Sequence, residues 1–322
     1  MVRGLLVPRR SGFRQYFPSP FTLPQRKSSC YKSGMNPEAL ILVVSGALLH
    51  ALWNFFAKKA SGGLPFVWLF GVVSIVAAFP FGIVSWLNNS HQLGTTAWVA
   101  IVASALVHVV YSLVLQRGYL VSDFSIVYPL ARGTGPLFSI AGAMIFLAES
   151  PNLLGWFGIA LVILGILLIS YVPDLHSASG KVFQGVMWGC LTGICIGLYT
   201  LIDGWAVKTL AMAPILYYVL GLGLRTLILA PQALSRRQLL IRQWRENKLY
   251  IVAVGILSPL AYTLVLFAMT KAKLSYVAPV REVSMLAGVF FGARLLREAF
   301  TRARLTGMAL MVAGVVLLAV AK

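Results

Sequence analysis

Apolar residues in this sequence fall into ten long runs separated by short polar stretches. The runs cover 39–57, 64–86, 97–115, 124–147 and 153–172 in the first half, then 182–201, 213–230, 249–269, 274–295 and 305–321. Each is close to the roughly 20 residues that a helix needs to cross the hydrocarbon core of a bilayer. They lack the polar–apolar alternation of transmembrane barrel strands, so the pattern predicts helices. Composition agrees. The chain is 59% hydrophobic and 11% charged, with a mean hydropathy of +0.85, far from the balance of a soluble domain. The expected fold class is an all-α integral membrane protein of about ten transmembrane helices, with the lipid bilayer as its partner and solvent.

Residues 1–34 differ in kind. They hold seven Lys and Arg, no acid, and scattered Ser and Pro. Such a composition suits a transit peptide. The favoured reading is a stretch upstream of a true start at Met35, where Met35-Asn36-Pro37-Glu38 leads straight into the first run. On either reading the segment is expected to be disordered. Two domains are expected after it, 35–173 and 174–322. Without the tail the net charge falls from +19 to +12, 20 basic residues against eight acids. In a chain with so little soluble surface this excess belongs to membrane topology, and nucleic acid is not an expected partner. Cys190 and Cys195 lie inside an apolar run and Cys30 in the tail, and no metal-ligand spacing occurs. No cofactor or metal is expected.

The second half copies the first at a spacing of about 150 residues. Tyr111-Ser112-Leu113-Val114-Leu115 is matched by Tyr262-Thr263-Leu264-Val265-Leu266. Ser125, Val127 and Pro129 correspond to Ser275, Val277 and Pro279. Arg132 then pairs with Arg281, Glu149 with Glu298, Gly158 with Gly307, and Gly165 with Gly314. Each copy holds five runs, and an odd number turns the second copy upside down in the bilayer. Inverted repeats of this kind place a solute site near the midplane between the halves. Together with Leu49-His50-Ala51-Leu52-Trp53-Asn54, Tyr128-Pro129-Leu130-Ala131-Arg132-Gly133 and Tyr199-Thr200-Leu201-Ile202-Asp203-Gly204, these pairs give a chain that resembles the EamA family of the drug/metabolite transporter superfamily over 35–322. The resemblance implies two inverted five-helix repeats around a central cavity, and transport of small metabolites without nucleotide hydrolysis. It does not single out a substrate, since members handle amino acids, sugars, nucleotide precursors and drugs.

Charge inside the runs is scarce: Arg132, Arg225, Arg281 and Glu282, with His50 and His108. A charge at the bilayer centre costs on the order of 2.5–3.5 kcal/mol on insertion scales, so each needs a partner or a wet cavity. Arg132 and Arg281 occupy equivalent positions, each shortly after a proline that removes a backbone donor and loosens its helix. Two guanidiniums from opposite halves can clamp a carboxylate or phosphate by forked hydrogen bonds. Glu282 beside Arg281 is either part of that site or its structural counter-charge. Helical spacing adds Tyr128 one turn before Arg132, His50 with Trp53 and Asn54 on one face, and Tyr199 with Asp203 on another. These residues and Arg225 form the expected substrate-binding set, against the plainer reading of interfacial anchors, core hydrogen bonds and, for Asp203, a helix end at the water interface. His108 with Tyr111 and Ser112 forms a further polar cluster on one helix. Glu149 and Glu298 are expected to cap the helices that follow them. The glycines at 158, 165, 307 and 314, with Gly288 and Gly292, read as close helix packing, within the chain or at the contact of a homodimer.

Loop charge and family resemblance disagree on orientation. The odd-numbered loops carry thirteen Lys and Arg, the even loops and C-terminus four. The positive-inside rule puts the former in the cytoplasm and both termini outside, whereas the resemblance puts both termini inside. The leading expectation is a secondary transporter moving a small anionic or zwitterionic metabolite by alternating access, as a multi-pass protein of the bacterial plasma (inner) membrane. A broad-specificity exporter of drugs or lipophilic cations is the alternative. A membrane-embedded enzyme is disfavoured, because no nucleophile–base pair or metal cluster is present, and no Walker sequence suggests direct nucleotide drive.

Overall fold

The computed structural model describes residues 35–60, 62–122, 124–169, 180–286 and 302–321. The expected tail at 1–34, and Gly288, Gly292 and Glu298, lie outside the described residues. Ten α-helices occur among those described, with no strand: α1 (Pro37–Ala60), α2 (Gly63–Asn89), α3 (Thr95–Val121), α4 (Phe124–Phe146), α5 (Leu153–Ile169), α6 (Gly180–Lys208), α7 (Pro214–Leu234), α8 (Arg237–Lys271), α9 (Leu274–Arg281) and α10 (Arg302–Val320). Helices α1, α2, α3, α6, α7 and α8 are long and apolar enough to cross a membrane, and α4, α5 and α10 carry shorter apolar stretches. Large apolar side chains point outward along them: Phe81 is 64% exposed, Leu87 74% and Phe146 77%. In water these would be unburied hydrophobes. In lipid they sit in a solvent as apolar as themselves, and the chain is a multi-pass membrane protein.

With lipid outside, packing and polar contacts must hold the helices together. α1 lies along α8, α3 and α4 along α6, α2 against α7, and α5 against α10. The α5–α10 contact shows why its glycines are there. A Cβ added at Gly165 would stand 2.6 Å from the Gly307 carbonyl oxygen, and one at Gly314 would stand 2.7 Å from that of Gly158. Gly158 thus faces Gly314 while Gly165 faces Gly307, so the two helices cross antiparallel with their backbones touching. These four glycines join two helices of one chain, and the expectation of a subunit contact is not needed for them.

Three expected boundaries move. The sixth helix runs on to Lys208, so Asp203 is not at a watery helix end; it is fully buried. The stretch after the seventh run, expected as a loop, is helical from Arg237 and joins the eighth helix across a bend at Asn247 (φ −127°, ψ 19°). The ninth helix, expected over 274–295, is interrupted after Arg281; helical residues resume at 284–286, and 287–301 lie outside the described residues. Pro279 contributes no N–H, and the backbone beyond it tightens into three-residue turns. Glu282 N donates to Pro279 O at 3.1 Å, Val283 N to Val280 O at 3.1 Å, and Met285 N to Glu282 O at 2.8 Å.

Glu149 also departs from expectation. The helix after it, α5, is held at its start by Asn152, whose Oδ1 accepts from Gly155 N at 2.7 Å. Ala148, at φ 50°, closes α4 in the left-handed conformation, with Glu149 N donating to Ala143 O at 3.2 Å. That turn aims Glu149 at the other half of the chain. Its carboxylate accepts from Leu274 N and Ser275 N, both at 2.8 Å, capping α9, and pairs with Lys208 Nζ at 2.5 Å. A carboxylate on a helix N-terminus favours the local dipole. One acidic side chain therefore ties together the ends of α4, α6 and α9.

Candidate functional site

Where α9 breaks, three charges meet out of water. Arg132 of α4 approaches Glu282 with Nη1 3.4 Å from Oε2. Arg281 Nε lies 3.5 Å from Glu282 Oε1. The side chains are 7%, 0% and 4% exposed for Arg132, Glu282 and Arg281. Glu282 thus serves both repeat-equivalent arginines and neutralises one, leaving the trio at net +1. The distances are long for hydrogen bonds, and Arg281 Nε and Nη2 are buried with no hydrogen-bond partner among the described residues. A guanidinium with donors unspent in a low-dielectric interior is a strong attractor for an anion.

His50 of α1 and Tyr199 of α6 both feel the two guanidiniums electrostatically. The rest of the expected α1 group is turned elsewhere. Trp53 meets the His50 ring edge-on at 4.8 Å and packs with Phe56 and Phe70 beside buried Phe66 and Ile251. Asn54 Nδ2 donates to the His50 carbonyl at 2.7 Å, a hydrogen bond within its own helix. The side chain of Tyr128 lies outside the described residues.

A second constellation surrounds Asp203. Its carboxylate accepts from Ser104 Oγ of α3 and the Tyr217 hydroxyl of α7, both at 2.5 Å, and from the Tyr262 hydroxyl of α8. Three neutral donors from three helices satisfy the carboxylate. Aromatic rings wall this centre. His108 stacks on Tyr199 at 4.1 Å between centroids, and Tyr111 meets Tyr199 at 5.7 Å. Tyr262 lies 5.6 Å from Tyr218, and the Arg225 guanidinium sits 5.4 Å over the Tyr218 ring while donating to its hydroxyl at 3.2 Å. A cavity of about 20 Å³ lies among Ser104, His108, Asp203, Tyr217, Arg225 and Tyr262, room for about one water. Tyr199 links the two constellations: it packs in the aromatic box and lies within electrostatic range of the arginine trio.

Of the expected set, Arg132, Arg281, Glu282, His50 and Tyr199 gather in one region, and Asp203 and Arg225 join the adjoining box. Sequence reading missed Ser104, Tyr217, Tyr218 and Tyr262. One signal was available: Tyr111 and Tyr262 are repeat mates, and both rings approach Tyr199.

Comparison with known proteins gives consistent results. The profile of the EamA-like transporter family matches residues 38–171 and 183–320. An uncharacterized protein of Methanocaldococcus jannaschii is 33% identical over 136 residues, covering 41% of this chain and 96% of that protein. Its match has the length of one repeat. A protein of known crystal structure shares the fold, with a TM-score of 0.67 at 14% identity over 88% of this chain and 96% of that one.

Proposed function

We propose that this chain, which belongs to the EamA-like transporter family, is a secondary carrier for a small anionic or zwitterionic metabolite in a bacterial plasma membrane. The observation that carries the reading is the buried Arg132–Glu282–Arg281 trio, net positive and with Arg281 donors unspent, at a break in a membrane helix. Broken helices beside charged groups are a recurring device for solute sites in carriers. A carboxylate entering beside Arg281 gains the hydrogen bonds its guanidinium now lacks. The aromatic box beyond Tyr199 suits the organic or ammonium end of the same solute.

Alternating access is the mechanism we infer, with ten crossings arranged as two inverted halves. The antiparallel crossing of α5 and α10 supports this reading, because Gly158–Gly314 becomes Gly307–Gly165 when the repeats are exchanged. So does a relative only one repeat long. The narrow cavity reads as a closed state, since about 20 Å³ admits no metabolite. The Glu149–Lys208 pair, by tying α4 and α6 to the start of α9, suits a lock that one access state makes and the other breaks.

A second reading, an exporter of organic cations, is favoured by Asp203 within its ring of tyrosines. Counterflow in proteoliposomes separates the two. We expect carboxylate or zwitterionic solutes to exchange, with Arg281→Gln abolishing the exchange. Exchange of lipophilic cations alone, lost in Asp203→Asn and untouched by Arg281→Gln, would establish the second reading. Chemistry on lipid with no solute flux would end both.

A further inference from the structure

A groove lies at one membrane face, away from the buried charges. Its volume is about 470 Å³, within the size range of small-molecule sites. It is lined by Arg117 near the end of α3, Arg236 just before α8, the amides of Gln232 and Gln243, and an apolar wall that includes Leu113, Leu120, Leu229 and Leu239. We propose that it binds one anionic phospholipid, with the phosphate between Arg117 and Arg236 and an acyl chain along the leucines.

Four observations support this occupant. Both arginines are exposed, and neither makes an ion pair with a described residue; Glu246, the acid on the adjoining helix, is engaged by Arg242 at 2.9 Å. The groove is also open toward lipid. Leu113 and Leu120 are 44% and 77% exposed, and the row continues deeper along α3 through Val110 and Leu106. A water-soluble anion needs no such wall, whereas an acyl chain does. Thirdly, the segment from Arg237 to the bend at Asn247 is a short helix flanking the groove, with apolar and basic side chains mixed on its exposed surface. Leu240 is buried against the protein while Leu239, Ile241 and Trp244 are 45%, 44% and 44% exposed. Arg237 and Arg245 flank them, with Lys248 just past the bend. Exposed Trp and Leu interleaved with basic residues mark a helix lying in the headgroup layer, where anionic lipid attracts each Lys or Arg. Lastly, the bend at Asn247 sets this helix off from the membrane-crossing part of α8. Its Asn247 Nδ2 donates to Gln243 Oε1 at 3.0 Å, holding Gln243 at the groove.

The test uses the full chain purified in a neutral detergent and titrated with dioleoylphosphatidylglycerol or dioleoylphosphatidylcholine. Native mass spectrometry counts the bound lipid. The unaltered protein should retain one phosphatidylglycerol roughly 30-fold more tightly than phosphatidylcholine, the worth of two basic contacts at a membrane surface. Arg117→Gln combined with Arg236→Gln should bring the ratio to about one, while Lys271→Gln at the opposite face should leave it unchanged. Both arginines are surface residues, so the double variant should fold, and the headgroup preference of the unaltered protein needs no variant. Equal retention of the two lipids would overturn the proposal, as would a preference that survives the double substitution. Thermal stabilisation by inorganic phosphate, without lipid preference, would identify a water-filled vestibule for solutes instead.

Discussion

If Arg281 is held for a ligand, removing its charge should cost no stability. The trio of Arg132, Glu282 and Arg281 is almost wholly buried, and its three side chains sum to a formal charge of +1. Glu282→Gln removes the carboxylate that both guanidiniums share, and breaking a buried pair this way costs about 3–5 kcal/mol. Arg281→Gln does the reverse. The Arg132–Glu282 pair at 3.4 Å remains, and a buried cationic group with unmet donors, a defect worth about 1–3 kcal/mol, is removed. The two variants should therefore move apart by several kcal/mol. At roughly 2–4 °C per kcal/mol for a chain of a few hundred residues, the separation is easily measured. Circular dichroism melting in one detergent at one lipid content gives the midpoints, and counterflow in proteoliposomes gives transport. Glu282→Gln should melt well below the unaltered protein, and Arg281→Gln at or above it with anion exchange lost. If Arg281→Gln melts as low as Glu282→Gln, the guanidinium is a structural member of the trio and the argument fails.

Asp203→Asn should lower the melting midpoint by about 1–3 kcal/mol equivalent, because an amide nitrogen then faces hydroxyls that had a carboxylate oxygen to donate to. An unchanged midpoint would show that Tyr217, Tyr262 and Ser104 do not depend on the charge. Gly165→Leu should destabilise the chain by about 1–3 kcal/mol or more, since the new side chain enters the backbone of α10; Gly180→Leu, where nothing lies within 4 Å, is the control. The face bearing Arg117, Arg236 and Arg245 should be cytoplasmic. In a cysteine-free background, Arg245→Cys should then label with an impermeant maleimide only after cells are opened, and labelling of intact cells would reverse the orientation.

Much of this protein is readable along one line of text. Run length and the scarcity of charge specify membrane helices, because a bilayer leaves the backbone few other ways to satisfy its hydrogen bonds. The repeat at about 150 residues singles out Arg132 and Arg281, since a buried charge kept in both copies is costly to keep without use. The helical start of α8, with Leu239, Leu240, Ile241 and Trp244 among arginines, was expected as a loop, because such a short helix shares its composition with a basic loop.

What the text could not supply are the meetings between distant helices. Asp203 is one carboxylate in one run until Ser104, Tyr217 and Tyr262 arrive from three others, and only their convergence makes its burial tolerable. Glu149 looked like the cap of its own successor; the left-handed turn at Ala148 sends it to α9 instead. Sequence determines which residues must avoid lipid, because that is a property of each side chain and its period. Which buried groups then satisfy one another depends on how the helices cross, and the tertiary structure alone decides that.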